Sequence, residues 1–294
     1  MTLSPPLDAP PPVATFAIRR AAGESAPTPL VFASPHSGRH YPQNMMAALG
    51  GLEIRRSEDA WVDALIMAAP ELGAAMICAN LARAYIDVNR EPFELDPEMF
   101  VDELPEYARV RSARVAAGLG SIPKVVSEGR EIYARKLTFA EACARIEWAH
   151  RPYHAGLSRL LGEAHAAHGF AILIDWHSMP AMAAQGGGRD RASDMVLGDR
   201  YGAACAPQVT ARVETLLRER GFKVARNTPY AGGYTTEHYG RPGRRTHALQ
   251  IEINRGLYLD EAAMTLTEGF EDLRAKLESL TKGLAATDWC ELSR

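Results

Sequence analysis

Apolar and polar positions along the chain follow two rhythms. Short uninterrupted apolar runs end at Gly, Pro or polar clusters, and between them lie longer stretches in which apolar residues recur every three or four positions. LVFAS from Leu30 is the first run. It stops at SPHSGRHYP, where Pro35, Gly38 and Pro42 force a loop, so a strand presents His36 at its end. AMICANL and AYIDV read as two further strands, the second delivering Asp87, Asn89 and Arg90 at its C-terminal end. In FAILIDWHS the Ala-Ile-Leu-Ile run is typical of a strand buried on both faces of a parallel-rich sheet, with His177 just past it. DMVLGD, FKVARN and HALQIEINR complete the predicted strands, and the last sets Glu252 between Ile251 and Ile253.

Between these runs the period lengthens to that of helices. Ser57 is the predicted N-cap of EDAWVDALIMAAPELG, which places Asp59 and Asp63 on one face. Thr138 and Glu141 fit a capping box, and the helical period continues to Gly169, with Pro152 expected to kink or divide it. RYGAACAPQVTARVETLLRERG and DEAAMTLTEGFEDLRAKLESLTKGL read as amphipathic helices. Strands alternating with helices argue for an α/β sandwich built as one domain over residues 29–294. Residues 1–28, which begin MTLSPPLDAPPP, read as a flexible or extended Pro-rich segment outside the core. REPFELDPEMFVDELPEYARVRSARVAAGLGSIPKV has weak periodicity and scattered Pro and Gly, and reads as a long surface excursion.

Composition narrows the partners. The chain has 294 residues, 47% of them hydrophobic, enough for a substantial core. A formal charge of -3 and a pI near 6.3 give no cationic field for nucleic acid or an anionic membrane. Cys78, Cys143, Cys205 and Cys290 are widely spaced, without a CxxC pair, and read as buried reduced thiols. The N-terminal residues show no signal-peptide pattern and no stretch approaches the roughly 20 apolar residues of a membrane span, so a cytoplasmic location is expected.

Chemistry gathers where apolar runs end. His36, the Glu58/Asp59 pair and His177 occupy such ends, which border the clefts of α/β sheets. Two histidines and one carboxylate meet the needs of a catalytic zinc with an open position for water. Their wide spacing is not a local metal motif, and the plainer alternative is a turn-capping His36 and a hydrogen-bonded core His177. Asp175, two residues before His177, suits a partner that orients a liganding imidazole. Glu252, in a buried apolar strand, is either a general base with a raised pKa or half of an ion pair with a residue such as Arg255. Arg83, Arg90, Arg241, Arg244 and Arg245 point to an anionic substrate, since guanidinium groups bind carboxylates in pairs of hydrogen bonds. His150 and His154, with Pro152 between them, read as structural. The glycines of YAGGYTTEHYG match no phosphate-binding pattern and suggest a substrate loop.

Six ordered segments, SPHSGRHYP, SEDAWVDAL, YIDVNREP, LIDWHSMP, GGYTTEHYGRPGRRTHALQIEINR and LYLDE, resemble the N-formylglutamate amidohydrolase family over roughly residues 30 to 262. The resemblance implies a three-layer α/β/α sandwich around a mixed, largely parallel sheet, like that of zinc carboxypeptidases and N-acyl-aspartate deacylases (phosphorylase/hydrolase-like). It implies one Zn2+ held by His36, Asp59 and His177, with Asp59 chosen over Glu58. Glu252 would be the general base and Arg83 the oxyanion-stabilising arginine, while Asn89 and Arg90 would grip a substrate carboxylate and Arg241 line its pocket. The expected reaction is hydrolysis of the N-formyl amide of a small anionic N-formyl amino acid, giving formate and L-glutamate. Two alternatives stand beside it: a related zinc deacylase or carboxypeptidase, and a non-catalytic amino-acid-binding protein of the same fold. The SPHSG form and GGGRDRASDM depart from the strongest family pattern and leave substrate identity open.

Overall fold

The computed structural model describes residues 13–22, 25–126, 129–184 and 192–292. Six of the apolar runs become strands: β2 (Leu30–Ser34), β3 (Ala75–Ala79), β4 (Ala171–Met179), β5 (Met195–Gly198), β6 (Val224–Arg226) and β7 (Thr246–Asn254). With β1 (Phe16–Arg19) they form one sheet in the order β1-β3-β2-β4-β7-β5-β6. The pairs β3/β2, β2/β4, β4/β7 and β5/β6 are parallel, whereas β1 runs antiparallel to β3 and β5 antiparallel to β7.

Period-2 alternation sorts the strand residues onto two covered faces. Leu30, Phe32, Ile172, Ile174, Trp176, Leu249, Ile251 and Ile253 form one core with the helices Pro207–Arg218 and Gly269–Ala285. Val31, Ala33, Ile77, Leu173 and Ala248 face the opposite way, against Tyr153, Leu157 and Leu160 of the helix Arg151–His168. Helices on both faces make the expected three-layer sandwich with a mixed, largely parallel sheet. GGGRDR, singled out for its departure from the family pattern, lies outside the described residues.

Several local expectations are corrected. β1 falls within the segment assigned to the Pro-rich tail; its Phe16 and Ile18 pack beside the Arg151–His168 helix, but four residues are too short a pattern to stand out in sequence. AYIDV is a turn, not a strand, because Tyr85 N closes onto Ala82 O and Asp87 Oδ1 accepts from Asn89 N at 2.8 Å. Ser57 caps no helix: its hydroxyl donates to Ile54 O, Trp61 takes a left-handed conformation, and only Val62–Leu65 is α-helical before the 3₁₀ turn Pro70–Leu72. The helix expected from Arg200 begins only at Pro207, the C-terminal one only at Gly269, and of the four cysteines expected to be buried only Cys205 is, with Cys290 exposed.

The Thr138/Glu141 capping box forms as expected. Pro152 divides its helix through a π turn, Ile146–His150, between Phe139–Arg145 and Arg151–His168. The stretch 90–125 is more than a surface excursion, because its Leu95, Met99, Phe100 and Ile122 bury themselves with Tyr85, Ile86 and Leu137 in a satellite core. That core builds one wall of the cleft described next.

Candidate metal centre and cleft

The C-terminal ends of β2, β4 and β7 open on a cavity of about 700 Å³. Its polar floor follows from strand periodicity. Asp175 and His177 in β4 share a face opposite Trp176, and they stand beside Gln250 and Glu252 at matching positions of β7. Nearer the middle of the sheet these positions are Leu173 and Ala248. The same strands therefore carry core at one end and chemistry at the other.

His36, Asp59 and His177 converge, all buried, with one potential ligand atom from each lying within 4.8 Å of the others. Asp59 Oδ2 is 3.3 Å from His36 Nδ1 and 2.9 Å from His177 Nδ1. The far nitrogens are held by carboxylates: His36 Nε2 lies 2.7 Å from Asp87 Oδ1, and His177 Nε2 lies 3.1 Å from Asp175 Oδ2. Carboxylate-oriented imidazoles are the usual support of metal-liganding histidines. Glu58, the alternative ligand, is buried elsewhere with Tyr41 and Arg55.

Charge at the site fits a cation. Burial works against an ionised Asp59, yet hydrogen bonds from His177 and His36 outweigh it and hold the carboxyl well below its usual range. Burial also works against a charged His177, but Asp175 and Asp59 raise it well above the usual histidine range. The carboxylates of the cluster are thus met by Arg83, Arg255 and a proton retained on His177. A divalent cation meets the same demand, with both histidines neutral and the two ligand nitrogens turned to the same Asp59 oxygen. The described residues therefore include a potential metal-binding triad.

Glu252 stands on the same rung as His177 but outside the triad. Burial pushes its carboxyl up to about 7, with Asp59 adding to the rise and His177, Arg255 and Arg83 opposing it. Its Oε1 accepts from Gln250 Nε2 at 2.8 Å. The ion pair imagined between Glu252 and Arg255 is not formed; Arg255 Nη2 instead donates to Asp59 Oδ1 at 2.9 Å.

Arg83 and Arg90 both line the cavity. Arg83 Nη2 donates to Asp87 Oδ2 at 2.6 Å, and Arg90 donates to Leu119 O and Asn89 O. Asn89 is engaged at both ends of its amide: Nδ2 donates to Asp175 Oδ2 at 3.4 Å, beside His177 Nε2, and Oδ1 accepts from Thr235 N at 2.7 Å. Arg241 is not brought to the cavity. It is exposed and donates to Glu237 O and Gly240 O at the end of the helix Tyr234–Tyr239, whose unpaired carbonyls attract a cation.

The cavity also takes in Arg56, Arg114, Tyr230 and Gln250, none of which stood out in the sequence. Gln250 had a signal, since a polar residue two before Glu252 shares its face. Arg114 had none, because the segment around it follows no regular period.

A family model described as N-formylglutamate amidohydrolase matches residues 28–259. A curated N-formylglutamate deformylase of Pseudomonas putida is 30% identical over 269 residues, covering 87% of this chain and 90% of that protein. One from Pseudomonas aeruginosa is 29% identical over 241 residues, covering 80% and 84%. Among solved structures, an N-formylglutamate amidohydrolase from Ralstonia eutropha JMP134 superposes with a TM-score of 0.87 at 37% identity, covering 93% of this chain and 98% of that one.

Proposed function

The chain belongs to the N-formylglutamate amidohydrolase family, and on that premise we propose that it hydrolyses N-formyl-L-glutamate to formate and L-glutamate at a zinc site formed by His36, Asp59 and His177. The observation that carries this reading is the convergence of these three residues beside Glu252 in one cavity. Zinc, when bound, supplies Lewis-acid polarisation of water and of the formyl carbonyl.

The chain's own residues do the rest. Gln250 occupies one oxygen of Glu252, leaving the other to take a proton from the attacking water. In the metal-free chain burial raises this carboxyl to about 7, the direction that suits a group that accepts that proton and returns it to the leaving amine. Arg83, tethered by Asp87, donates to the oxyanion as the formyl carbon becomes tetrahedral. Arg90 faces the substrate's α-carboxylate. Asn89, with its amide bound to the protein, donates to Asp175, the carboxylate that orients the liganding His177, and grips substrate only through that framework. Arg114 meets the side-chain carboxylate in place of Arg241: it lines the cavity and its nearest acidic atom is Glu94 Oε2 at 3.7 Å, too far for a hydrogen bond.

The test is formate release from N-formyl-L-glutamate, beside N-formyl-L-aspartate and N-acetyl-L-aspartate, before and after chelation and zinc restoration. Zinc-dependent release from the first substrate is expected. Zinc-dependent turnover confined to another substrate rejects the formylglutamate assignment, and turnover unaffected by chelation rejects the metal.

A further inference from the structure

Two histidines outside the cavity are spent on the backbone of the segment that forms its floor. His150 closes the π turn before Pro152, and His154 lies one turn further along the helix Arg151–His168. Their Nε2 atoms lie 2.8 Å from Arg90 O and 2.7 Å from Val88 O. A carbonyl oxygen only accepts, so both rings donate at Nε2. The two carbonyls bracket Asn89.

The far side of His154 reaches a second wall of the cleft. Its Nδ1 is 2.8 Å from the Tyr239 hydroxyl, at the end of the helix Tyr234–Tyr239. The other end of that helix supplies the Thr235 amide that donates to Asn89 Oδ1, and Gly233 N donates to Gln250 Oε1, the side chain that holds Glu252. The segment 88–90 and the 233–239 region thus meet at Asn89 and are tied together again at His154.

We propose that His150 and His154 are positioning residues, a paired imidazole clamp that fixes segment 88–90 so that Asn89 holds Asp175, the carboxylate behind His177, and Arg90 keeps its place in the cavity. The clamp rests on the deformylase reading for the substrate it serves, though its hydrogen bonds stand without it. It also gives the proline a context. Pro152 brings no amide to the helix ladder, the π turn Ile146–His150 takes up the break, and both imidazoles project onto one segment; π turns within helices concentrate at functional sites.

The test compares wild type with His154→Phe, His154→Gln, His150→Phe and His150→Gln. Phe fills the space of the ring without a donor, whereas Gln carries an N–H near the position of Nε2. Three quantities are read: amide hydrogen exchange of the metal-free protein, zinc affinity by competition with a chromogenic chelator, and KM and kcat for formate release. In the Phe variants the amides of Asn89, Arg90 and Thr235 exchange faster, zinc binds about 10-fold more weakly or worse, and KM rises. Gln returns all three close to wild type.

A Phe variant with unchanged exchange, zinc affinity and KM overturns the clamp, as does equal impairment by Phe and Gln. If His154→Phe shows no cooperative unfolding transition, the His150 pair decides, because it reads the other carbonyl of the same segment. Exchange is measured without zinc or substrate. A wild-type protein that binds zinc and releases no formate therefore rejects the deformylase reading while the clamp is still decided by exchange and zinc affinity.

Discussion

His177 and Glu252 sit on the same rung of the parallel pair β4/β7, so a candidate metal ligand and a candidate base project side by side from one face of the sheet. Glu252 lies outside the ligand triad, which separates the two roles experimentally. Glu252→Gln keeps an oxygen for the Gln250 hydrogen bond and removes the proton acceptor. Its kcat for formate release falls by about 10²- to 10⁴-fold while zinc content, measured by atomic emission, stays at the wild-type value. Near-wild-type kcat in a zinc-loaded variant removes Glu252 from the base role.

Zinc also stabilises the fold through mass action, since the ligands converge only in the native chain. At 100 times the dissociation constant the gain is about 2.7 kcal/mol, which for a chain of this size raises Tm by roughly 5 °C or more. Asp59→Asn abolishes most of that rise, because Asp59 is the carboxylate on which both histidines converge. Differential scanning calorimetry with chelator and with zinc checks it: an undiminished shift in the variant places the cation elsewhere.

How much of this is legible in sequence depends on the length of each pattern. β4 and β7 are nine-residue strands buried almost throughout, so their apolar runs identify them and their terminal His177 and Glu252 at once. His36 is legible for the same reason, just past β2. Asp87 and Asn89 are found as a polar cluster but on the wrong element, because side-chain bonds to the local backbone turn a run that composition reads as a strand. Arg114 is not found, and Arg255 is read only as a partner of Glu252. Their roles come from tertiary placement, Arg114 on the wall built by the satellite core and Arg255 beside Asp59, 196 residues away in sequence.

Gly233 shows how tightly the cleft is packed around Asn89. A Cβ there would lie 2.6 Å from Asn89 Nδ2 and 2.7 Å from its Oδ1, although the backbone at Gly233 is ordinary for any residue, with φ -92°. Gly233→Ala therefore displaces Asn89 without straining the backbone. Displacement of a supporting group by about 1 Å can cost up to ~10²-fold in rate, so kcat/KM should fall by tens-fold in a protein that still folds. Unchanged kcat/KM in this variant means Asn89 does not support the site.

Arg114 tests substrate discrimination. A hydrogen bond to a charged group contributes roughly 1.5–3 kcal/mol, so Arg114→Gln raises KM for N-formyl-L-glutamate by about 10- to 100-fold. N-formyl-L-glutamine, isosteric but uncharged at the side chain, should show little change. Parallel losses on both substrates assign Arg114 to general architecture instead.

His154 makes a prediction about acid stability in which the sign is fixed by its burial. Burial, with help from the neighbouring His150, lowers its pKa from 6.5 to about 3, against the opposing pull of the Val88 carbonyl. The folded chain therefore binds fewer protons at His154 than the unfolded chain. Its contribution is complete above about pH 6.5 and is lost as pH falls from there towards 3, at no more than about 1.4 kcal/mol per pH unit. Gln at this position does not titrate. The stability advantage of wild type over His154→Gln, measured by urea unfolding, should shrink by up to about 2 kcal/mol between pH 7 and pH 5. All other titrating groups are common to both proteins, so their acid response cancels in the difference. A difference that is flat across this range means that His154 takes up its proton in the folded chain as readily as in the unfolded one, contrary to a buried neutral ring donating to Val88 O.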